Sequence, residues 1–95
     1  MIKVHQTEEF KKWLKKTDNT NEAKIRAGAR KIEIDGNFGD HKYLSDGIWE
    51  LRWKFGLRVY YGILDLEIVL LTHGGFKDGQ KRDIEKAKKI IKKYS

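Results

Sequence analysis

The chain has 95 residues with no cysteine and no proline, which excludes disulfide frameworks, thiolate metal sites and cysteine nucleophiles and leaves room for one small core, a single domain over 1–95. A net charge of +7 and a pI near 9.6 suit a polyanionic partner, nucleic acid first. The longest apolar run, Ile68 to Leu71, is too short to span a bilayer, and no apolar h-region follows Met1, so a cytoplasmic protein with no membrane partner is expected.

In chain order, Met1 to Gln6 alternates as a short strand. Thr7 is placed to cap a helix in which Glu8 and Glu9 lie in the first turn, Lys15 and Lys16 lie in the last, and Phe10, Trp13 and Leu14 form the apolar stripe. Asn19 with Glu22 resembles a capping box for a second helix running to about Ile34. In that helix Ile25, Ala29 and Ile32 share a face, as do Ala27 and Ile34, while Lys24, Arg26, Arg30 and Lys31 point away. Gly36 sits where a glycine would end it. Two short helices in succession predict a helical hairpin over one face of a sheet. Asn37 to Gly47 reads as a loop with a brief strand near His41 to Leu44.

From Ile48 the pattern alternates strictly. Trp49, Leu51, Trp53 and Phe55 fall on one side, with Glu50, Arg52 and Lys54 on the other. After a bend at Phe55-Gly56, Leu57, Val59 and Tyr61 continue the apolar side, and Arg58 and Tyr60 continue the polar one. A third strand runs from about Glu67 to Thr72 and ends at Gly74-Gly75. Asp78 is placed to cap a final helix with Ile84, Ala87, Ile91 and Tyr94 at i, i+3, i+7 and i+10. Lys77 to Lys93 holds eight Lys or Arg against Asp78, Asp83 and Glu85, a density most often found on a solvated face. The predicted class is α+β, β-α-α-β-β-β-α, an antiparallel sheet with the hairpin on one face, a C-terminal helix, and the other face open and polar.

That polar face is the candidate site. Arg52, Lys54 and Arg58 would project from adjacent strands close enough to repel one another. A phosphate backbone would relieve the repulsion, and Tyr60 could stack on a base. The competing reading is a solvated sheet face with Glu50 neutralising Arg52. An Arg on such an open face would contribute within about 0.5 kcal/mol of stability. His41 and Lys42 lie in the loop feeding the ribbon, His73 ends the last strand, and Lys77 follows the glycine pair. The three His lack metal-ligand spacing, no P-loop or dinucleotide fingerprint is present, and Ser45 has no nucleophile-elbow context, so neither metal nor cofactor is expected. The inventory suits metal-free RNA cleavage, in which the 2′-hydroxyl attacks its own phosphate and the protein supplies position, charge and protons.

GNFGDHKYLSDGIWELRWKFGLRVYYG followed by IVLLTHGGFKDGQKRDIEKAKKII resembles the addiction-module killer proteins, the phage-related, HigB-like branch of the RelE/ParE toxin superfamily. The resemblance covers nearly the whole chain. It implies a RelE-like fold, an endoribonuclease that cuts mRNA (often on the ribosome), and a cognate antitoxin, frequently a small helix-turn-helix protein. It places the scissile phosphate on Arg58, further cations at Arg52 and Lys54, and the leaving group near His73 or Lys77. Lys42, His41, Tyr60 and Glu50 are left to contact substrate. Glu50 stands where some relatives carry Lys, and the KFGL turn is shorter than the Gly-Pro-Gly type common in this branch. ParE-like members poison gyrase without a nuclease site. That alternative stands beside the nuclease, as does an inert nucleic-acid-binding module of phage origin.

Overall fold

The computed structural model describes residues 2–94. Met1, the first residue of the expected strand, lies outside them. β1 (Lys3–Gln6), α1 (Glu8–Lys15) and α2 (Asn19–Asp35) are followed by β2 (His41–Ser45), β3 (Ile48–Arg52), β4 (Leu57–Leu64), β5 (Ile68–Phe76) and α3 (Gln80–Tyr94). The expected order is present, with the brief strand near His41 realised as β2. The sheet runs β1-β5-β4-β3-β2, antiparallel throughout except that β1 pairs parallel with β5.

Local chemistry sets the element ends. Thr7 caps α1 as expected, its hydroxyl accepting from the Phe10 amide at 3.0 Å while donating to the Leu71 carbonyl at 2.9 Å, so one buried side chain starts the helix and stitches β1 to β5. For α2 the cap is Asp18, not Asn19: Asp18 is extended and its carboxylate accepts from the Asn21 amide at 2.8 Å, whereas Asn19 is already helical. Gly36 closes α2 in the left-handed conformation, its N–H on the Ile32 carbonyl. Asp46-Gly47 and Asp65-Leu66 both take positive φ at two successive positions, the backbone of tight turns that joins β2 to β3 and β4 to β5.

The two sheet faces separate as the alternation predicts. Leu51, Leu57, Val59, Tyr61, Val69 and Leu71 pack under α1 and α2 with Phe10, Leu14, Ile25 and Ile32, forming the main core. The second expected stripe of α2 has no such role, since Ala27 and Ile34 are exposed. The opposite face is not open. α3 lies across it, and Ile48, Tyr60 and Ala87 form a second buried cluster flanked by Leu44, Ile84 and Ile91. Ile90, outside the expected stripe, is also buried.

Three further differences follow from packing. Lys54 is not on a strand: β3 ends at Arg52, and Lys54–Gly56 forms a single 3-10 turn with Phe55 at φ 64° and exposed. β5 does not stop at Gly74-Gly75 but continues to Phe76. A side chain at Gly74 would collide with the Trp13 ring and lie 2.6 Å from the Arg58 carbonyl, and one at Gly75 would collide with the Asp83 carboxylate, so the pair lets the strand pass between α1 and α3. Finally, α3 begins at Gln80, after a 3-10 turn over Lys77–Gly79, and Asp78 is not its cap.

Gly74→Ala is therefore expected to destabilise the fold by about 1–3 kcal/mol through overpacking against Trp13 and the β4 backbone. Urea denaturation reads this as a lower midpoint at unchanged slope, and an unaltered midpoint would contradict the packing at this strand.

Candidate functional site

The centre of the α3-covered face is Glu50, only 2% exposed although it sits mid-strand in β3. Alternation on β3 and β4 puts Glu50 and Arg52 on this face beside Tyr60 and Arg58, their cross-strand partners. The Glu50 carboxylate accepts a 2.7 Å hydrogen bond from Gln80 Nε2 on the first turn of α3, with Arg58 Nε at 3.6 Å and Arg52 Nη1 at 3.9 Å. Arg52 and Arg58 are directly opposed across the strands, a like-charge pairing that is unfavourable alone. A buried carboxylate between them removes the conflict. Glu50 thus neutralises Arg52, as the competing sequence reading expects, and Arg58 as well, but the face is covered rather than solvated.

Arg58 is held tightly. Its Nη1 donates to the carbonyls of Leu57 at 3.1 Å and Trp53 at 3.4 Å, so the guanidinium is pinned to the root of the 54–56 turn, and its side chain is 14% exposed. This corrects the expectation of an open-face Arg whose removal the fold would not notice. Arg52, at 35% exposure, also pairs with Asp40 at 3.3 Å, and its amide donates to the Asp40 carbonyl at 2.8 Å.

Tyr60 does not face solvent. It is fully buried under α3, its hydroxyl has no hydrogen-bond partner, and its ring lies 5.5 Å from that of His73. Its ring packs at a tilt of 35° against His73 rather than lying open to stack on a base. Burial, then the charges of Asp83 and Glu50, push the phenol pKa up, against a smaller opposing effect of Arg58. Tyr60 therefore stays neutral at physiological pH. His73 is also buried, with Nε2 3.5 Å from Asp83 Oδ1 and Nδ1 3.4 Å from the Thr72 hydroxyl. Burial pushes its pKa down and Lys86 adds to this, while Asp83 opposes. Burial prevails, because desolvating the charged imidazolium costs more than the attraction of Asp83 returns.

The remaining expected residues divide. Lys42 pairs across from Glu50 and shares its face, exposed near the sheet edge. Lys54 and Lys77 are exposed on the two turns that meet at Gly56, where an added side chain would lie 3.2 Å from Lys77 Cβ. His41 belongs to the other face, opposite Leu51 and beside the rings of Phe38 and Trp49, with Nδ1 donating to the Gly39 carbonyl at 2.9 Å. The structure thus gathers Arg52, Arg58, Glu50, Tyr60 and His73 together, leaves Lys42, Lys54 and Lys77 at the rim, and separates His41. Gln80 and Asp83 complete the cluster. They were missed because the final helix read as a solvated basic face.

Among the described residues no group of three or more His, Asp or Glu is arranged to hold a metal ion. Among the described residues no helix is long and apolar enough to cross a membrane.

This architecture is that of the RelE-like toxins. A chain of the RelBE2 toxin–antitoxin complex of Mycobacterium tuberculosis superposes with a TM-score of 0.62 at 18% identity, over 79% of this chain and 96% of that one. A mutant of YafQ from E. coli gives 0.61 at 10% identity, over 84% and 98%. At such identities the likeness is one of fold. The sequence itself matches the family model "Phage derived protein Gp49-like (DUF891)" over residues 12–95, and the chain belongs to that family. A Haemophilus influenzae (strain Rd) relative, described as an uncharacterized protein, is 41% identical over 90 residues, 92% of this chain and 90% of its own.

The His73 geometry carries a pH signature. In the unfolded chain the imidazole titrates near its ordinary value of about 6.5. In the fold its pKa is lower, so the unfolded state takes up the proton first as pH falls, and stability drops below about pH 6.5. His73→Gln should remove up to about 1.4 kcal/mol per pH unit of that slope. Urea melts at about pH 7.5 and about pH 5.5 make the comparison, and equal slopes in both proteins would contradict a neutral buried His73.

Proposed function

We propose that this protein is the toxin of a bacterial type II toxin–antitoxin pair, of the HigB-like kind, and that it cleaves mRNA on the ribosome without a metal ion. The observation that carries this reading is Arg58, a guanidinium prepositioned by two backbone carbonyls and Glu50, with Arg52 directly opposite. With Nη1 on the two carbonyls and Nε facing Glu50, Nη2 is left to present a fixed, charged donor to a non-bridging phosphate oxygen, an orientation a flexible Lys ammonium does not hold. The RelE-like fold and membership of a phage-derived family support it.

In the proposed reaction the 2′-oxygen attacks the adjacent phosphorus and its proton passes to solvent. The bond to the 5′-oxygen breaks, leaving a 2′,3′-cyclic phosphate. Arg58 and Arg52 neutralise charge building on the phosphorane, and Lys77, exposed beside the 54–56 turn, returns a proton to the departing 5′-oxygen. Glu50 positions the two guanidinia. Tyr60 and His73 act as supports beneath the site, and Lys42 and Lys54 hold flanking phosphates. The partner is a cognate antitoxin, a small helix-turn-helix protein, that masks Arg52 and Arg58 or displaces α3.

Arg58→Ala should lower cleavage by about 10²–10³-fold, the scale of losing one preorganised electrostatic donor. It should also cost about 1–3 kcal/mol of stability, because Glu50 loses its nearest cation. Arg58→Lys keeps the charge, so it should fold better yet remain impaired. The test is induced expression with transcriptome-wide mapping of RNA ends, alongside thermal melting of each variant. Full toxicity from folded Arg58→Ala would sink the assignment, and DNA breaks with an SOS response instead of coding-sequence cuts would point to the gyrase-directed alternative.

A further inference from the structure

On the other side of Arg52, between α2 and the loop that follows it, lies a groove of about 280 Å³. Lys24 and Lys31, seven residues apart on one side of α2, line it, with Ala27 and Gly28 between them in sequence. The small residues are what leave the groove hollow. Gly28 also admits the Trp53 ring, since an added side chain would lie 2.8 Å from Trp53 Cζ2. The partly exposed rings of Trp53 and Phe38 join Leu51 in the apolar part of the lining, and Asp40 is the one carboxylate on it.

We propose that this groove binds one nucleotide of the single-stranded RNA, next to the nucleotides held at Arg58. The inference rests on the nuclease reading above and extends it to the path of the strand. Three observations favour RNA. Lys24 and Lys31 are exposed with no acidic partner among the described residues, so the groove carries three cations against Asp40 alone. Cations interleaved with aromatic rings in a concavity are the chemistry that tracks a single strand by phosphate charge and base stacking. The volume, near the lower end of small-ligand pockets at roughly 300 Å³, suits one nucleotide rather than a helix or a folded peptide. Continuity comes from Arg52, whose Nε lies 3.3 Å from Asp40 on the groove while Nη1 lies 3.9 Å from Glu50 in the site. A phosphate at this guanidinium joins the two.

The test measures equilibrium binding of a short single-stranded RNA with 2′-O-methyl riboses, which cannot be cleaved, by fluorescence anisotropy across a salt series. Lys24→Glu with Lys31→Glu is compared with Lys12→Glu and Lys15→Glu on α1, which makes the same change in net charge. The groove pair should weaken binding by about tenfold or more and reduce the salt slope by about 1.4, two single-strand phosphate contacts at about 0.7 each. The α1 pair should do markedly less. RNA should also quench tryptophan emission in the wild type, and Trp53→Phe, which keeps an aromatic ring in the core, should abolish that quench. Equal losses in the two charge-reversed pairs, or loss of the co-expressed antitoxin with RNA binding intact, would overturn the proposal. The probe is uncleavable, so the groove and the nuclease can fail separately. RNA lost specifically by the groove pair from a wild type that never cuts would uphold the groove and sink the nuclease. Unchanged KM for cleavage in the groove pair would do the opposite.

Discussion

The buried carboxylate of Glu50 is the constraint on which the rest of this structure depends. A carboxyl group at 2% exposure is costly to desolvate and persists only where hydrogen bonds and counter-charges surround it. Here the surroundings come from three directions: Gln80 from α3, Arg58 from β4 and Arg52 from its own strand. The same contacts that satisfy Glu50 attach the first turn of α3 to the sheet and allow two opposed arginines to sit side by side. Substituting Lys at this position would place three cations together and leave Arg58 without the carboxylate beside it.

The two sheet faces are unequal, and the site lies where one kind of contact changes into the other. Under α1 and α2 the packing is continuous and apolar. Under α3 the apolar cluster is small, and towards the helix start it gives way to Gln80, Asp83, His73 and Arg58. The irregularity between Tyr60 and Tyr61 in the β4–β5 register leaves Thr72 unpaired, its hydroxyl bonded to the Tyr60 carbonyl at 2.9 Å. It also keeps His73 on the α3 side while Leu71 faces the main core. A bulge that redirects a side chain beside a candidate site is a recurring use of such irregularities.

Much of this was legible because strand periodicity is an absolute signal of side: every residue from Trp49 to Arg52 and from Leu57 to Tyr61 lies on the expected face. Period two says which side a residue takes, and nothing about what covers that side. Tyr60 and His73 are amphipathic and fit either an open or a covered face. The covering helix shows its apolar stripe at Ile84, Ala87 and Ile91, but nothing in that stripe says which surface it packs against. Lys54 leaves the expected face for a similar reason: alternation can be extended through a short turn without any local contradiction, and the 3-10 turn over Lys54–Gly56, with Phe55 at positive φ, ends it. The α2 groove was illegible in principle, being assembled from residues 24 to 53 that share no periodic pattern.

If the site cleaves RNA, Glu50 has a consequence for selectivity between ground and transition states. A phosphodiester carries one negative charge, whereas the phosphorane formed by 2′-oxygen attack carries more. Any phosphate at Arg58 must share that guanidinium with a carboxylate already 3.6 Å away. Repulsion from Glu50 acts on both species, but the added charge of the phosphorane draws more strongly on the two guanidinia, which outnumber the one carboxylate. Binding that grows as charge develops is the form of interaction that accelerates a reaction rather than merely retaining substrate. The carboxylate that stabilises the resting site would then also keep it from holding uncut RNA too tightly, so one residue would serve both the fold and turnover.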